Sequence, residues 1–323
     1  VSGLDPGRVR VGFALTGGVV TDVSVRSIRP LSLASRFSGR PVEEAIEAVS
    51  LLHAVCGVSH AAALTFATAA ATGRSLDTSE LEHWHRRLAG ERIGEHLREL
   101  ARLAPVVALP LIRDALAAAH AIAHGGEGDL APVAEALRLA PDWLPAVGRS
   151  TTPDGLDSSD DLAVVAALES DETFPALPHL AGRHPETGPA SRLGLAAATA
   201  GAVDAARLSE AKAALDQLAS SGAPSFDDGW LTAGLLRDST GYASVESPRG
   251  RLYYLVEVQG DGRLRSARVV APTEWNFHPE GPFARALAGF RPDGEPRAAV
   301  ARLAAQFSPC VSVEIVPEGA ADA

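Results

Sequence analysis

The chain has two thiols, Cys56 and Cys310, standing towards opposite ends of its 323 residues. A four-thiolate metal centre is therefore beyond it alone, and two cysteines this far apart do not make a disulfide framework. His53, Cys56 and His60 follow one another at i, i+3 and i+7, a spacing that lays them on one face of a helix. Cysteine and histidine are both soft-to-intermediate metal ligands, so the three can be read as part of a metal site. The plainer alternative is a buried cysteine among small residues, with the histidines as core or hydrogen-bond filler. Spacing by itself favours that alternative. Cys310, in FSPCVSV, follows a proline and precedes an apolar run; taken alone it reads as an inert thiol. Two further segments stand out. ESPRG (246–250) sets Arg249 between Pro248 and Gly250 just before a strand-like run, and WNFHPEGP (275–282) gathers Trp275, Phe277, His278 and Glu280 in a proline-punctuated loop. Only 5% of the chain is aromatic, which makes that loop unusual. Both segments also read as turns closing a sheet onto helices.

Composition narrows the classes of function. The chain is 46% apolar and 21% charged, within the globular range and unlike a disordered segment. Methionine is absent, so much of the core must be Ala, Leu and Val, which suits closely packed helices. A net charge of −11 and the lack of a dense Lys/Arg cluster argue against a nucleic-acid partner. The first residues, Val1 to Gly12, are polar and mixed rather than signal-like, and unpaired thiols suit a reducing compartment, so a cytoplasmic location is expected. Ala48 to Gly73 carries no Asp, Glu, Lys or Arg and is long enough to span a bilayer. It is mostly Ala, Ser, Thr and Gly, with His53 and His60 inside it, residues that drive insertion weakly. A buried core helix with no membrane span is the expectation.

The elements that must position these residues follow from periodicity. Residues 9–30 alternate Val9, Val11, Phe13 and Leu15 with smaller or polar residues, and Gly17–Gly18 offers a two-residue turn, so a β-hairpin is predicted. A helix, interrupted or not, runs from Pro41 to about Thr72. Further helices are predicted over 76–100, with Leu81, Trp84 and Leu88 in one stripe, and over 109–126, 131–139, 161–170 and 190–219, with another inside 225–242. Residues 140–160 and 175–189 read as loop. Residues 251–273 read as two strands around Asp261–Gly262, followed by short helices at 281–290 and 294–306 and a strand at 311–316. The expected fold class is α+β, mainly helical: one domain over residues 1–323, a helix bundle over about 41–240, and β-rich regions at 9–30 and 251–273 from both chain ends, which meet beside it.

Six segments taken together resemble the large subunit of nickel–iron hydrogenases: TGGVVTDVSV (16–25), FSGRPVEEA (37–45), HAVCGVSHAAA (53–63), ESPRGRLYY (246–254), APTEWNFHPEGPFARAL (271–287) and FSPCVSV (307–313). They occur in that family's order and reach from end to end. The resemblance implies the family's fold and a meeting of the two terminal cysteines in space. In that family a Cys-x-x-Cys near each end holds the metals; the second cysteine of each pair bridges nickel and iron, and the iron carries cyanide and carbon monoxide. Here the first pair is His53-x-x-Cys56 and the second Cys310-x-x-Val313. By the resemblance Cys56 takes a bridging place and Cys310 a terminal one, while His53 and Val313 replace the other two thiols. His60 matches the histidine that follows the first pair, and Arg249 the arginine beside the diatomic ligands. The family's Arg-Ile-Glu-Gly-His opening is missing before the first hairpin, and the helical middle is short for a catalytic subunit.

A valine offers no lone pair, and the loss of a bridging thiolate removes a ligand from both metals at once. A complete nickel–iron centre is therefore not expected. What remains resembles the hydrogenase accessory proteins of the HupK/HoxV type. The implied function is hydrogenase maturation: a transient scaffold for an Fe(CN)2CO group on Cys56 and Cys310, with Arg249, His53 and His60 around it and no catalytic residue assigned. The implied partners are hydrogenase maturation proteins and the hydrogenase large subunit. Two alternatives stay open. One is a metal-free structural or interaction protein of the same fold, to whose respiratory relatives WNFHPEGP is especially similar. The other is a divergent catalytic subunit using His53 in place of a thiolate.

Overall fold

The structure, a computed structural model, describes residues 7–29, 36–53, 55–220 and 229–317. Its two ends are sewn together. Strands β1 (Arg8–Thr16) and β2 (Val19–Ile28) form the expected antiparallel hairpin, with Gly17 and Gly18 both at positive φ in the turn. The last strand, β7 (Ser312–Pro317), pairs in parallel with β1, so that Val9 faces Val313 and Val11 faces Ile315. A parallel pair needs a crossover, and here the crossover is nearly the whole chain. Val9, Val11 and Phe13 turn inward onto Phe277, Phe283, Phe307 and Ile315. Cys310 lies just before β7 and is placed by this pairing.

Between the ends lie the helices. α1 (Val42–Leu52) and α2 (Gly57–Thr72) come from the single predicted stretch 41–72, broken at His53–Cys56. α3 (Thr78–Leu100) opens on a capping box between Asp77 and Glu80. α4 (Leu109–Ala123) and α8 (Ala202–Ala219) pack against it, and α5 (Leu130–Leu139) packs on those two, around a core of Ile93, Leu97, Ala115, Ala119, Val133 and Leu208. α6 (Asp161–Ser170) lies where expected. α2 is buried without a break from Val58 to Ala69, the fate of the uncharged stretch that was long enough to span a bilayer. Among the described residues one helical window, Val106–Ala123, is long and apolar enough for a bilayer by composition. Its Ile112, Ala115, Ala119 and Ile122 are buried.

Two of the predicted helices need correction. The predicted helix over 190–219 is split: α7 (Pro189–Arg192) is one turn, and only Ala202–Ala219 is a long helix. Gly194 and Gly201 adopt positive φ between them, which a continuous helix cannot include. The helix predicted inside 225–242 is instead a pair of strands, β3 (Leu231–Arg237) and β4 (Thr240–Ser247); residues 225–228 lie outside the described residues. LTAGLL satisfies either period over so short a run, and the turn at Asp238–Ser239, with Ser239 at φ 61, decides for the hairpin. These strands extend the predicted pair β5 (Gly250–Val258) and β6 (Leu264–Val270) into a four-stranded antiparallel sheet, so the helical part ends at Ala219 rather than near 240. Both faces of β5 are buried: Leu252, Tyr254 and Val256 under α2, and Tyr253 and Leu255 on Phe174 and Trp275. A Cβ at Gly241 would lie 2.3 Å from Ala67 O, so glycine is what lets α2 lie directly on β4.

After the sheet come α9 (Pro272–Asn276), α10 (Pro282–Leu287) and α11 (Pro296–Gln306), each with proline in the first turn, where its missing N–H leaves nothing unpaired. WNFHPEGP, expected as a loop, is helical at Trp275–Asn276.

The α3–α4 contact yields a paired prediction. A Cβ at Gly90 would lie 2.6 Å from Ala123 N and 2.9 Å from Ala119 O, whereas one at Gly94 would lie 3.6 Å from Ala119 Cβ. Gly90→Ala should destabilise the protein by about 1–3 kcal/mol through forced separation of the helices. Gly94→Ala should be neutral, or stabilising by up to ~1 kcal/mol through helix propensity. Urea unfolding of the two variants beside the wild type checks both.

Candidate functional site

The break between α1 and α2 is built by specific contacts. His53 closes α1: its N–H donates to Val49 O, and its ring Nδ1 lies 2.9 Å from the same carbonyl. Cys56 N–H donates to His53 O at 3.2 Å, and Cys56 O accepts from His60 N–H at 3.0 Å, so Cys56 is the N-cap of α2. Its side chain caps nothing. The free amides of the first turn find Glu91 on α3 instead: Val58 N–H donates to one carboxylate oxygen at 2.7 Å and Ser59 N–H to the other at 3.0 Å, joined by the Ser59 hydroxyl. A carboxylate against a helix N-terminus is favourable both as acceptor and as charge. Burial nevertheless pushes the Glu91 pKa up to about 7, against those three donors. A Cβ at Gly57 would meet Ser50 O at 2.3 Å, so only glycine lets α2 start this close to α1.

The two histidines become a stacked pair, with ring centroids 3.5 Å apart and planes 14° from parallel. His60 is clamped from the sheet by Tyr254, whose hydroxyl lies 2.8 Å from Nδ1. Burial lowers the pKa of both rings, that of His60 well below its ordinary value, so both are neutral at pH 7.

Cys310 arrives from the other end of the chain, in the connection from α11 to β7. Thr273 of α9 holds it twice: the hydroxyl accepts from Cys310 N–H at 3.2 Å and lies 3.1 Å from the sulfur. Both cysteines are free thiols, Cys56 buried and Cys310 half-buried. Burial pushes the Cys56 thiol well up, with the nearby charges of Cys310 and Glu91 adding to it and Arg249 opposing. Arg249, in the turn from β4 to β5, donates to Pro309 O at 2.8 Å and faces Glu95 at 3.4 Å, while its Nε is buried without a hydrogen-bond partner.

Cys56, Cys310, Arg249, His53 and His60, all singled out from the sequence, thus come together in one place. The sequence reading missed Arg29, Glu274, Thr273, Tyr254 and Glu91. Arg29, at the end of β2, donates to Glu274 at 2.6 Å and lies close enough to both sulfurs for its charge to act on them. Thr273 and Glu274 fall inside APTEWNFHPEGPFARAL, but their side chains are buried on a short helix, where the sequence reading ended a strand at Thr273 and placed no element at Glu274. Arg29 lay in no segment that marked it. His278 and Glu280 do not join the site; His278 stacks on His184 at 4.1 Å. Among the described residues no group of three or more His, Cys, Asp or Glu is placed to hold a metal ion. A cleft of about 100 Å³ runs from Arg98, His120 and His124 to His53, Gly57 and Glu91, beside Cys56. A larger polar hollow of about 340 Å³ borders Arg192, Trp230 and Arg251, but its arginines are already paired with Asp161, Glu210 and Glu246.

No family model matches the chain. Individual relatives do. The hydrogenase expression/formation protein HupK of Rhizobium leguminosarum bv. viciae is 35% identical, with 99% of each chain covered. The chain belongs to the HupK family. HupK of Bradyrhizobium diazoefficiens is 30% identical over 93% of this chain and 94% of its own, and HoxV of Cupriavidus necator is 34% identical over 55% of this chain. Among solved structures the nickel–iron–selenium hydrogenase of Desulfovibrio vulgaris Hildenborough, in its reduced state, superposes with a TM-score of 0.58 at 16% identity, covering 92% of this chain and 94% of that one. An NAD+-reducing nickel–iron hydrogenase gives 0.54 at 15%, covering 96% and 97%. This HupK-family chain therefore has the hydrogenase large-subunit fold that its six segments implied.

Removing the Glu91 carboxylate should expose how much the Cys56 turn depends on it. Glu91→Ala leaves two backbone amides and a hydroxyl without their acceptor and should cost about 1–3 kcal/mol in chemical unfolding. Amide hydrogen exchange should quicken first at Val58 and Ser59.

Proposed function

We propose that this HupK-family chain serves hydrogenase formation by holding an Fe(CN)2CO group transiently between Cys56 and Cys310. The observation that carries the reading is the meeting of two free thiols from opposite ends of the chain in a site whose arginine, Arg249, keeps a buried Nε–H without an acceptor. Two thiolates are a small donor set for a bare cation. They suffice for an iron that brings three diatomic ligands of its own. A cyanide nitrogen is an acceptor matched to a fixed guanidinium donor. Cys310 is half-buried, and a cleft reaches Val55 and Gly57, the residues on either side of Cys56.

The residues do not favour a bimetallic centre. Val313 is a strand residue paired with Val9 and supplies no lone pair, and His53 turns its Nδ1 to Val49 O. Holding and release, rather than catalysis, is the chemistry they suit. The partners are then the maturation proteins that make the iron group and the hydrogenase large subunit that receives it, in the cytoplasm. The metal-free alternative has one observation on its side, the lack among the described residues of a group of three or more metal-binding side chains.

One experiment separates the two. The protein, isolated anaerobically from a host with an intact maturation pathway, should show infrared bands in the cyanide and carbonyl region and bound iron. Cys56→Ser and Cys310→Ser should each lose both signals and block formation of active hydrogenase. A wild type without bands or iron, together with serine variants that still support hydrogenase formation, would establish the metal-free role instead.

A further inference from the structure

The described structure leaves a second unsatisfied donor at the two thiols. Arg29 and Glu274 form an ion pair whose side chains are 14% and 1% exposed. Among the described residues, Arg29 Nη1 donates to Glu274 Oε1 at 2.6 Å, while Arg29 Nε and Glu274 Oε2 are both buried and have no hydrogen-bond partner. A buried N–H and a buried carboxylate oxygen left open side by side are costly. A pair that served only to brace the fold would be expected to close bidentately, since guanidinium and carboxylate match as two forks. Glu274 is also the neighbour of Thr273, which holds Cys310 by both its amide and its sulfur. One turn of α9 therefore fixes Cys310 and Arg29 together.

Charge points the same way. Ferrous iron, two cyanides, a neutral carbon monoxide and two thiolates sum to a dianion. Burying a dianion is prohibitive unless it is paired and hydrogen-bonded. Arg249 supplies one positive charge, already shared with Glu95 at 3.4 Å. Arg29 supplies another, shared in the same way with Glu274 at 2.6 Å.

We infer that Arg29, aimed by Glu274, is a second anion-binding residue of this site and donates its Nε–H to a cyanide nitrogen of the iron group held by Cys56 and Cys310. The inference rests on the scaffold reading above and adds to it a ligand class, metal-bound cyanide, and a residue. No covalent step is involved. The guanidinium binds, balances charge and is released with its ligand.

The test uses the full chain isolated anaerobically from a host with an intact pathway, as wild type, Arg29→Gln and Arg29→Lys, each with its thermal unfolding recorded. In Arg29→Gln, bound iron should fall about tenfold or more at equal supply, the loss expected for one charge-assisted hydrogen bond. A cyanide band should move to lower wavenumber in whatever iron remains. Arg29→Lys keeps the charge without the planar fork, so it should recover much of the iron while the cyanide band stays displaced; it carries the test if Arg29→Gln does not fold. A purely structural role would lower the melting temperature and leave the band positions unchanged. Wild-type bands present and unmoved in both variants, with iron retained, would overturn the inference and leave the scaffold reading standing. No bands in the wild type would remove both.

Discussion

The parallel pairing of β1 with β7 is the contact on which the rest depends. It joins residues about three hundred apart in sequence and closes the chain on itself. Its inward face, Val9, Val11, Phe13 and Ile315, packs on the phenylalanines of α9–α11 and the turns beside them, and that packing sets where the connection through Cys310 can lie. Cys56 is brought in at the start of α2, where Gly57 lies too close to Ser50 of α1 to carry a side chain. Neither cysteine has a second thiol near it in sequence. The two approach only through the closure of the fold, and apolar burial over that whole interface is what stabilises the closure.

Around that meeting point the protein buries more ionic groups than packing alone requires. Glu91, Glu95 and Glu274 are all below 10% exposed, and Arg29 and Arg249 nearly so. Desolvation raises the pKa of Glu91 and Glu274, and it lowers those of His53 and His60. Arg29 is held positive by Glu274 and the two sulfurs despite the same desolvation. Farther from the thiols, Arg251 meets Asp161, Glu246 and Ser244, and Arg192 meets Glu210 and Glu246, each through its Nε as well as its outer nitrogens.

Much of this was legible in the sequence, and for identifiable reasons. The hairpin 9–30, the helix from Thr78 to Leu100 and the strands about Asp261–Gly262 each carry both a period and a stop signal, and they formed as expected. The terminal cysteines, Arg249 and the two histidines were marked by segments resembling a known family, and the fold brought all five together. The failures are equally physical. LTAGLL is too short for its period to separate strand from helix, and a sheet lying beneath α2 decided it. The Ala-rich run after 190 hid two glycines in left-handed conformation. Arg29, Glu274 and Glu91 were not found because charged residues read as solvated by default, and only tertiary burial shows that they face inward.

The central claim is that one iron is shared by two thiolates from opposite ends of the chain. Iron X-ray absorption on protein isolated anaerobically with its cargo addresses this most directly. Two sulfur neighbours at about 2.3 Å, the length of comparable metal–thiolate bonds, with shorter carbon neighbours, are expected in the wild type, and no bound iron in Cys56→Ser or Cys310→Ser. Iron without sulfur neighbours, or a sulfur count unchanged by either substitution, would contradict it.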